Sequence, residues 1–327
     1  MSSHRIGFAV KVLADGGLPS HDTRRWQSDP HLRVSLANLD AILDYLDRND
    51  LRMYRMATAV APYASHPDLP QFHRQIEECG AELAAFGARA RSLGVRLSTH
   101  PGQYTVLNSE RPDTQAAAIA ELEVQAALLD AMGLGPEAVV VLHVGGAAGG
   151  TQRSLDRFQA GFERLSDPAR ARLVIENDDR TFGLADVLAL ARRTDLRVVF
   201  DLLHHHCHDP ERISDDEALA SALATWPREQ TPKIHFSSPR LDVEQRRVRV
   251  GRRVETRHVL PQLRAHADLV DPINFEGFLR ETARAGGTDG RDFDVMLEAK
   301  AKDLALLRLR GQLAARGLEP ERDPAPA

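Results

Sequence analysis

Seven side chains in this sequence are of the types, and at the spacing, that could build a metal centre: His100, His143, Glu176, Asp201, His204, His235 and Glu298. Each stands at or just past the end of a short β-rich run, in LSTHPGQY, VLHVGG, VIENDD, VFDLLHHHCH, KIHFSS and DVMLEAK. Any one of them alone reads as a satisfied strand-end polar residue. Together with His66, in the SHP after an earlier run, they would bring imidazoles and carboxylates from seven consecutive strands into one cavity. Carboxylates crowded in that way repel at heavy cost unless cations are present. Imidazole mixed with carboxylate, without thiolate, suits Mn²⁺, Zn²⁺ or Fe²⁺ and disfavours a structural zinc knot. The set is too large for one ion, which implies at least two, with Glu176 as a bridge. Paired metals about 3.5–4 Å apart hydrolyse phosphodiesters by generating hydroxide and holding the attacking and leaving oxygens. Sugar isomerases also use paired metals, so both chemistries stay open on these residues alone.

Such a convergence needs elements that deliver it. Strand candidates run over Arg5–Val10, Leu51–Ala57, Val95–His100, Ala138–Gly145, Arg172–Asp178, Leu196–Leu202, Lys233–Ser238 and Asp292–Ala299. Between them, Pro70–Ser92, Thr114–Met132, Ser154–Leu165, Leu184–Arg193, Ser214–Thr225, Pro272–Ala285 and Lys302–Arg316 carry apolar residues at helical spacing. Runs such as VVVLHV and LRVVFD are apolar on both faces, as in parallel strands covered by helices. The alternation predicts an α/β fold, a single (β/α)₈ TIM barrel, with the metal cluster at the C-terminal face of the strands. The barrel would occupy 1–316 and include an Arg-rich insertion at about 239–264, with eight arginines against three acids. A tail, 317–327, has a composition suggesting disorder.

Composition bounds the function. The chain has 327 residues, about twice a typical domain of ~150. It is 43% hydrophobic and 27% charged, which excludes the disordered and fibrous classes. A net charge of −5 excludes a wholesale basic surface, so contact with nucleic acid must be local, and the insertion is the basic concentration. Two cysteines, Cys79 and Cys207, cannot make a disulfide framework. No apolar run approaches a membrane span and the N-terminus lacks a signal pattern, so a cytoplasmic protein away from membranes is expected. GGAAGG at 145–150 lacks the Lys-Ser/Thr ending of a phosphate loop, and no nucleotide or organic cofactor is expected. Only Lys11, Lys233, Lys300 and Lys302 are lysine among 42 basic residues, which draws attention to Lys233, two residues before His235.

The segments YRMATAVAPYASHP, RLSTHPGQYTVLNS, VLHVGG, VIENDD, FDLLHH, KIHFSSPR, HADLVDP and DVMLEAKAKDLALLRL, in order along the chain, resemble the UV damage endonuclease family. The resemblance implies a TIM-barrel DNA repair nuclease that nicks damaged double-stranded DNA immediately 5′ of pyrimidine dimers, 6-4 photoproducts and other distorting lesions, leaving 3′-hydroxyl and 5′-phosphate. It implies a cluster of two to three divalent ions, manganese first among them. It places the metal ligands on His100, His143, Glu176, Asp201, His204, His235, His266 and Glu298. His66, Glu176, Lys233 and Glu298 would be catalytic, with Lys233 a candidate for carboxylation. Gln103 and Tyr104 match the GQY pair that wedges into the duplex, and Phe8 stands where the family commonly has a lesion-contacting tyrosine. Phe8 can stack but lacks the phenol, and Val12 replaces a common asparagine. His258 competes with His266 as ligand, and HADLVDP favours His266.

Two rivals share the rim. A metal-dependent sugar isomerase or epimerase would need neither GQY nor a basic insertion. Abasic-site endonucleases typically carry Asp-x-His on strand seven, where this chain has Lys233-x-His235. A damage-binding scaffold without catalysis would need a broken ligand set. The HHHCH run at 204–208 could be read as a metal finger, but in a barrel only Asp201 and His204 point inward. A monomer suits an enzyme that must embrace duplex DNA.

Overall fold

A computed structural model describes residues 4–284 and 291–318. Eight short parallel strands follow the predicted order: β1 (Ile6–Ala9), β2 (Met53–Arg55), β3 (Arg96–Ser98), β4 (Val140–His143), β5 (Leu173–Glu176), β6 (Arg197–Val199), β7 (Lys233–Phe236) and, after an antiparallel pair, β10 (Asp294–Leu297). The antiparallel pair, β8 (Glu244–Val250) and β9 (Arg253–Val259), is the Arg-rich insertion. Helices connect the parallel strands, among them Leu32–Arg48, Gly80–Ser92, Pro112–Ala131, Leu184–Thr194, Asp215–Ala224 and Lys302–Ala314.

The architecture is α/β and barrel-like, with a qualification to the expected closed ring. The strands form one sheet in the order β3-β2-β1-β10-β7 and another in the order β4-β5-β6. The edges of the two meet through single parallel bridges, Thr99 with Val140 and Asp201 with His235. At these seams the ladder thins to bonds such as Thr99 N–H to Val139 O (3.0 Å) and His235 N–H to Phe200 O (2.9 Å).

Alternation along each strand decides what reaches the interior. Val139, Val141, Val174, Val199 and Trp226 make a cluster of their own, while their neighbours Val140, Leu142, Ile175, Val198 and Phe200 join the large core shared with the helices. The inward phase continues two residues on from Val141, Val174 and Val199 to His143, Glu176 and Asp201. Met296 packs with Ala9 and Met53 in a third cluster, and the same step leads from Met53 to Arg55 and from Met296 to Glu298. On β7, Ile234 and Phe236 face the helices, which leaves Lys233 and His235 inside.

This phase corrects the expectation for Phe8. Its neighbour Ala9 is the inward residue, so Phe8 points out into the helix layer, fully buried, with its ring 5.4 Å from that of Tyr54. It has no surface to offer a lesion. Val12 is likewise buried.

Close approach of elements depends on small residues. A Cβ on Gly7 would lie 2.7 Å from Met53 of β2, and one on Gly87 would lie 1.7 Å from the carbonyl oxygen of Met132. The end of the strands away from the candidate site is closed by Arg96, which donates to Asp294 at 2.7 Å, and by Arg96 and Arg197 over the Trp226 ring. Burial beside Arg96 and Arg172 pushes Arg197 down to about 10. Asp303, on the last helix, accepts from Leu13 N–H, Ala14 N–H and the Tyr45 hydroxyl, tying that helix to the loop after β1.

The helix expected over Pro272–Ala285 is observed over Pro272–Arg284, and Ala285 lies outside the described residues. Of the tail expected to be disordered, Gly317 and Leu318 complete a turn in which Leu318 N–H reaches Leu313 O at 3.0 Å. Residues 319–327 lie outside the described residues. No helix among the described residues is long and apolar enough to cross a membrane.

Candidate metal centre

Glu176, completely buried at the end of β5, is the hub. Its Oε1 lies 2.8 Å from His235 Nδ1 and 3.5 Å from His204 Nδ1. Its Oε2 lies 3.0 Å from His100 Nε2 and 3.6 Å from His143 Nε2. Glu298 lies 3.4 Å from His235 Nδ1 and forms an ion pair with Arg55. Among the described residues, three overlapping groups have ligand atoms within 4.8 Å of one another: His100, His235 and Glu298; His100, His143 and Glu176; Glu176, Asp201 and His204. All seven residues singled out by type and spacing are therefore together, with His100 and Glu176 shared between groups.

Local sequence explains the less obvious placements. Asp201 caps the short helix Leu202–Cys207, its Oδ1 accepting from His204 N–H at 2.8 Å, which sets His204 one turn in and facing back to the cluster. Asn177 fixes this corner: its amide exchanges two hydrogen bonds of 2.9 Å with the backbone of Asp201. Its own carbonyl lies 3.0 Å from His204 Nδ1.

The donor set suits a cation cluster. Among the described residues, His235 Nε2, Asp201 Oδ2 and His143 Nδ1 are buried without a hydrogen-bond partner, an expensive state for polar atoms that coordination would relieve. Burial alone would raise Glu176, but His235, His143 and the hydrogen bond with His100 hold it well below the usual carboxylate range. Glu298 is held low against burial by Arg55 and His235. Burial pushes Asp201 up despite His204. His204 goes up to about 9, since Asp201, Glu176 and Glu298 outweigh burial. His100 and His143 are lowered by burial, which favours the neutral imidazole a metal needs.

Lys233 is fully buried, and its Nζ donates to Ser98 Oγ at 3.0 Å. Burial and the nearby Arg96 and Arg55 guanidiniums push its ammonium well below the usual lysine range.

The remaining candidates fall into place unevenly. His266 borders the cluster, its Nδ1 2.8 Å from Glu298 O and 3.6 Å from Glu298 Oε2, its ring 5.8 Å from that of His204. His258 is exposed on β9 beside Gln245. His66 is exposed on the loop after β2, accepts from Asp68 N–H and joins none of the three groups. Gln103 and Tyr104 are exposed on the loop after His100, Tyr104 at 85%. His205 and His206 are engaged with Ile213 O and Asp215, away from the ligands.

Arg55 was not singled out from sequence, although its phase after Met53 places it inward. Asn177 was also missed, and only its position directly after Glu176 marks it. A cleft of about 830 Å³ lies beside the centre, between the Leu202–Cys207 helix, the end of β7 and the base of the insertion, and none of the seven ligands lines it.

Known proteins are similar to this chain in sequence and in fold. The UV DNA damage endonuclease of Bacillus velezensis is 32% identical over 298 residues, 90% of this chain and 85% of that protein. The crystal structure of SacUVDE superposes with a TM-score of 0.77 at 28% identity, covering 96% of this chain and 99% of that one. D-psicose 3-epimerase from Clostridium cellulolyticum H10, at 12% identity and a TM-score of 0.50 with 86% of this chain and 94% of that one covered, shares the fold alone. The family described as UV-endonuclease UvdE matches residues 27–320, and with the resembling motifs spread over that same span, this chain belongs to that family.

Proposed function

We propose that the protein is a metal-dependent endodeoxyribonuclease that nicks double-stranded DNA immediately 5′ of UV photoproducts and other distorting lesions, leaving 3′-hydroxyl and 5′-phosphate ends. The observation that carries this is the juxtaposition of three overlapping ligand groups with an exposed aromatic, Tyr104, four residues beyond the shared ligand His100. Divalent ions, manganese first, would supply water activation and charge neutralisation at the scissile phosphate when bound. Glu176, His100, His143, Asp201, His204, His235 and Glu298 would hold them, with His266 at the border.

The protein's own groups do the rest. Tyr104 and Gln103 are free to enter a duplex where a lesion weakens stacking, and an aromatic can fill the gap left by an extruded nucleotide. Arg55 keeps Glu298 ionised and oriented. Lys233, whose ammonium burial pushes well below the usual lysine range, gives up its proton more readily, and its free amine would add to CO₂ with release of a further proton, giving a carbamate anion on the strand of His235. His66 would contact a phosphate at the rim. The enzyme would act as a monomer.

The test is incision with Mn²⁺ of matched duplexes holding a pyrimidine dimer, an abasic site or no lesion. Nicking 5′ of the dimer, lost with chelator, is expected. Incision of the abasic duplex alone would favour the abasic-site reading, and no incision of any duplex would overturn the assignment.

A further inference from the structure

The insertion between β7 and His266 is an arm rooted in the candidate centre. It leaves the strand that carries His235 and returns at His266, and its base is pinned by the antiparallel bridge of Pro239 with His266 and by Arg240 N–H to Ala265 O at 2.6 Å. Between these pins β8 and β9 pair in register from Glu244 opposite Val259 to Val250 opposite Arg253. A two-residue loop, Gly251 and Arg252, joins them, and Gly251 at φ 63° supplies the left-handed backbone a tight hairpin turn needs. Seven residues per strand at about 3.4 Å each give the arm a reach of roughly 24 Å.

Its two faces differ in charge. One face carries Glu244, Arg246, Val248 and Val250 with Arg253, Glu255, Arg257 and Val259. It includes all the half-buried residues of the two strands, Glu244, Val248 and Val259. Its arginines are largely neutralised: Arg246 pairs with Glu244 at 2.8 Å and Arg257 with Glu255 at 3.3 Å. The opposite face carries Gln245, Arg247 and Arg249 with Val254, Thr256 and His258, every one exposed and none acidic. The side chains of Arg247 and Arg249 make no ion pair among the described residues. They stand two residues apart on one strand, roughly 7 Å, a spacing comparable with successive phosphates along a nucleic-acid strand.

We infer that the Arg247/Arg249 face of this hairpin is a sequence-independent binding surface for the sugar-phosphate backbone of duplex DNA. It grips phosphates away from the cut, up to the reach of the arm. Gln245 and Thr256 add neutral hydrogen-bonding groups to the same face, and exposed guanidiniums without acidic neighbours are free to replace condensed counterions. The acids confined to the other face would repel the backbone, so the arm presents one side only. This inference rests on the reading of the protein as a DNA nuclease.

The experiment compares three forms of the full chain loaded with Mn²⁺: wild type, Arg247→Gln/Arg249→Gln, and Arg257→Gln on the opposite face. Affinity for an undamaged duplex, which is not cut, is measured across a salt series, with incision of a lesion-containing duplex at saturating enzyme and thermal melting as controls. The double variant is expected to lower the slope of log K against log [salt] by about 2. It should weaken binding at physiological salt at least tenfold and keep the wild-type single-turnover incision rate and melting temperature. Arg257→Gln is expected to leave the slope unchanged. An unaltered slope in the double variant, or an equal fall in Arg257→Gln, overturns the inference. A wild type that binds no duplex overturns the nuclease reading itself, and the two failures are thereby distinguished.

Discussion

Glu176 and His235 sit 2.8 Å apart, carboxylate to imidazole, each with a side chain wholly withdrawn from solvent. Among the described residues, neither has another charge-neutralising partner as near, and the histidine's second nitrogen has no hydrogen-bond partner. Glu176→Gln keeps the shape and removes the anion shared between two of the ligand groups. Metal stoichiometry should drop, and incision of a dimer-containing duplex should fall by at least about 10²–10³-fold. Full metal content with undiminished nicking would remove Glu176 from the centre.

His204 gives a pH signature to metal loading. In the metal-free protein its pKa of about 9 lies above the ordinary 6.5, so the ring is protonated at neutral pH. Ligation requires the neutral form, so binding of a divalent ion must expel that proton. Apparent affinity should fall by up to about tenfold for each pH unit below 9 from this group. The protonated ring also stabilises the metal-free fold below pH 6.5, and that contribution disappears as pH rises through about 9. Titration calorimetry in buffers of different ionisation heat reads the proton directly, and metal binding at pH 7 without proton release would sever His204 from the ligand set.

Phe8 and Tyr104 should part company when each is truncated. Phe8→Ala empties a fully buried ring site and is expected to destabilise the fold by about 3–5 kcal/mol, seen as a lower denaturation midpoint. Tyr104→Ala removes a ring that is 85% exposed, so melting and metal content should hold. Its loss should weaken lesion engagement by about 2 kcal/mol, roughly thirtyfold. Equal activity on damaged duplex by the Tyr104 variant would end its recognition role.

Lys233→Arg installs a group that stays protonated where the native amine is pushed towards neutrality. Reduced metal content or incision is expected, along with loss of any bicarbonate dependence shown by the wild type. An unchanged enzyme would make Lys233 a packing residue held by Ser98.

The ligand positions were legible because a strand has only two faces. Once Val141, Val174 and Val199 are known to be apolar, the polar residue two steps later must share their direction, and strand ends are where an apolar interior gives way to chemistry. The expectation for Phe8 comes from the family resemblance rather than from strand phase, and the small residues that flank it, Gly7 and Ala9, do not announce that they hold the inward positions of β1. Arg55 escaped notice because an arginine after a strand reads as a surface cation unless Met53 is seen to face inward. The hairpin was legible only as a basic segment, since Arg-Arg-Val-Arg-Val alternates too weakly to reveal strands that no core demands. The seams at Thr99 and Asp201 could not be foreseen, because pairing continuity depends on where neighbouring chains bend.

The pairing of β1 with β10, Ile6 opposite Val295 and Gly7 opposite Met296, joins positions almost three hundred residues apart. Glu298 follows directly after β10, so the same late strand completes both the wall and the ligand set. During synthesis, a chain exposing everything through β7 would already hold His100, His143, His204 and His235 and could pair β1 with β2, but it would lack this carboxylate and the strand that joins β1 to β7. Under the nuclease reading, the ribosome would thus carry an inert precursor, and the capacity to cut would emerge only after the final strand is threaded into place.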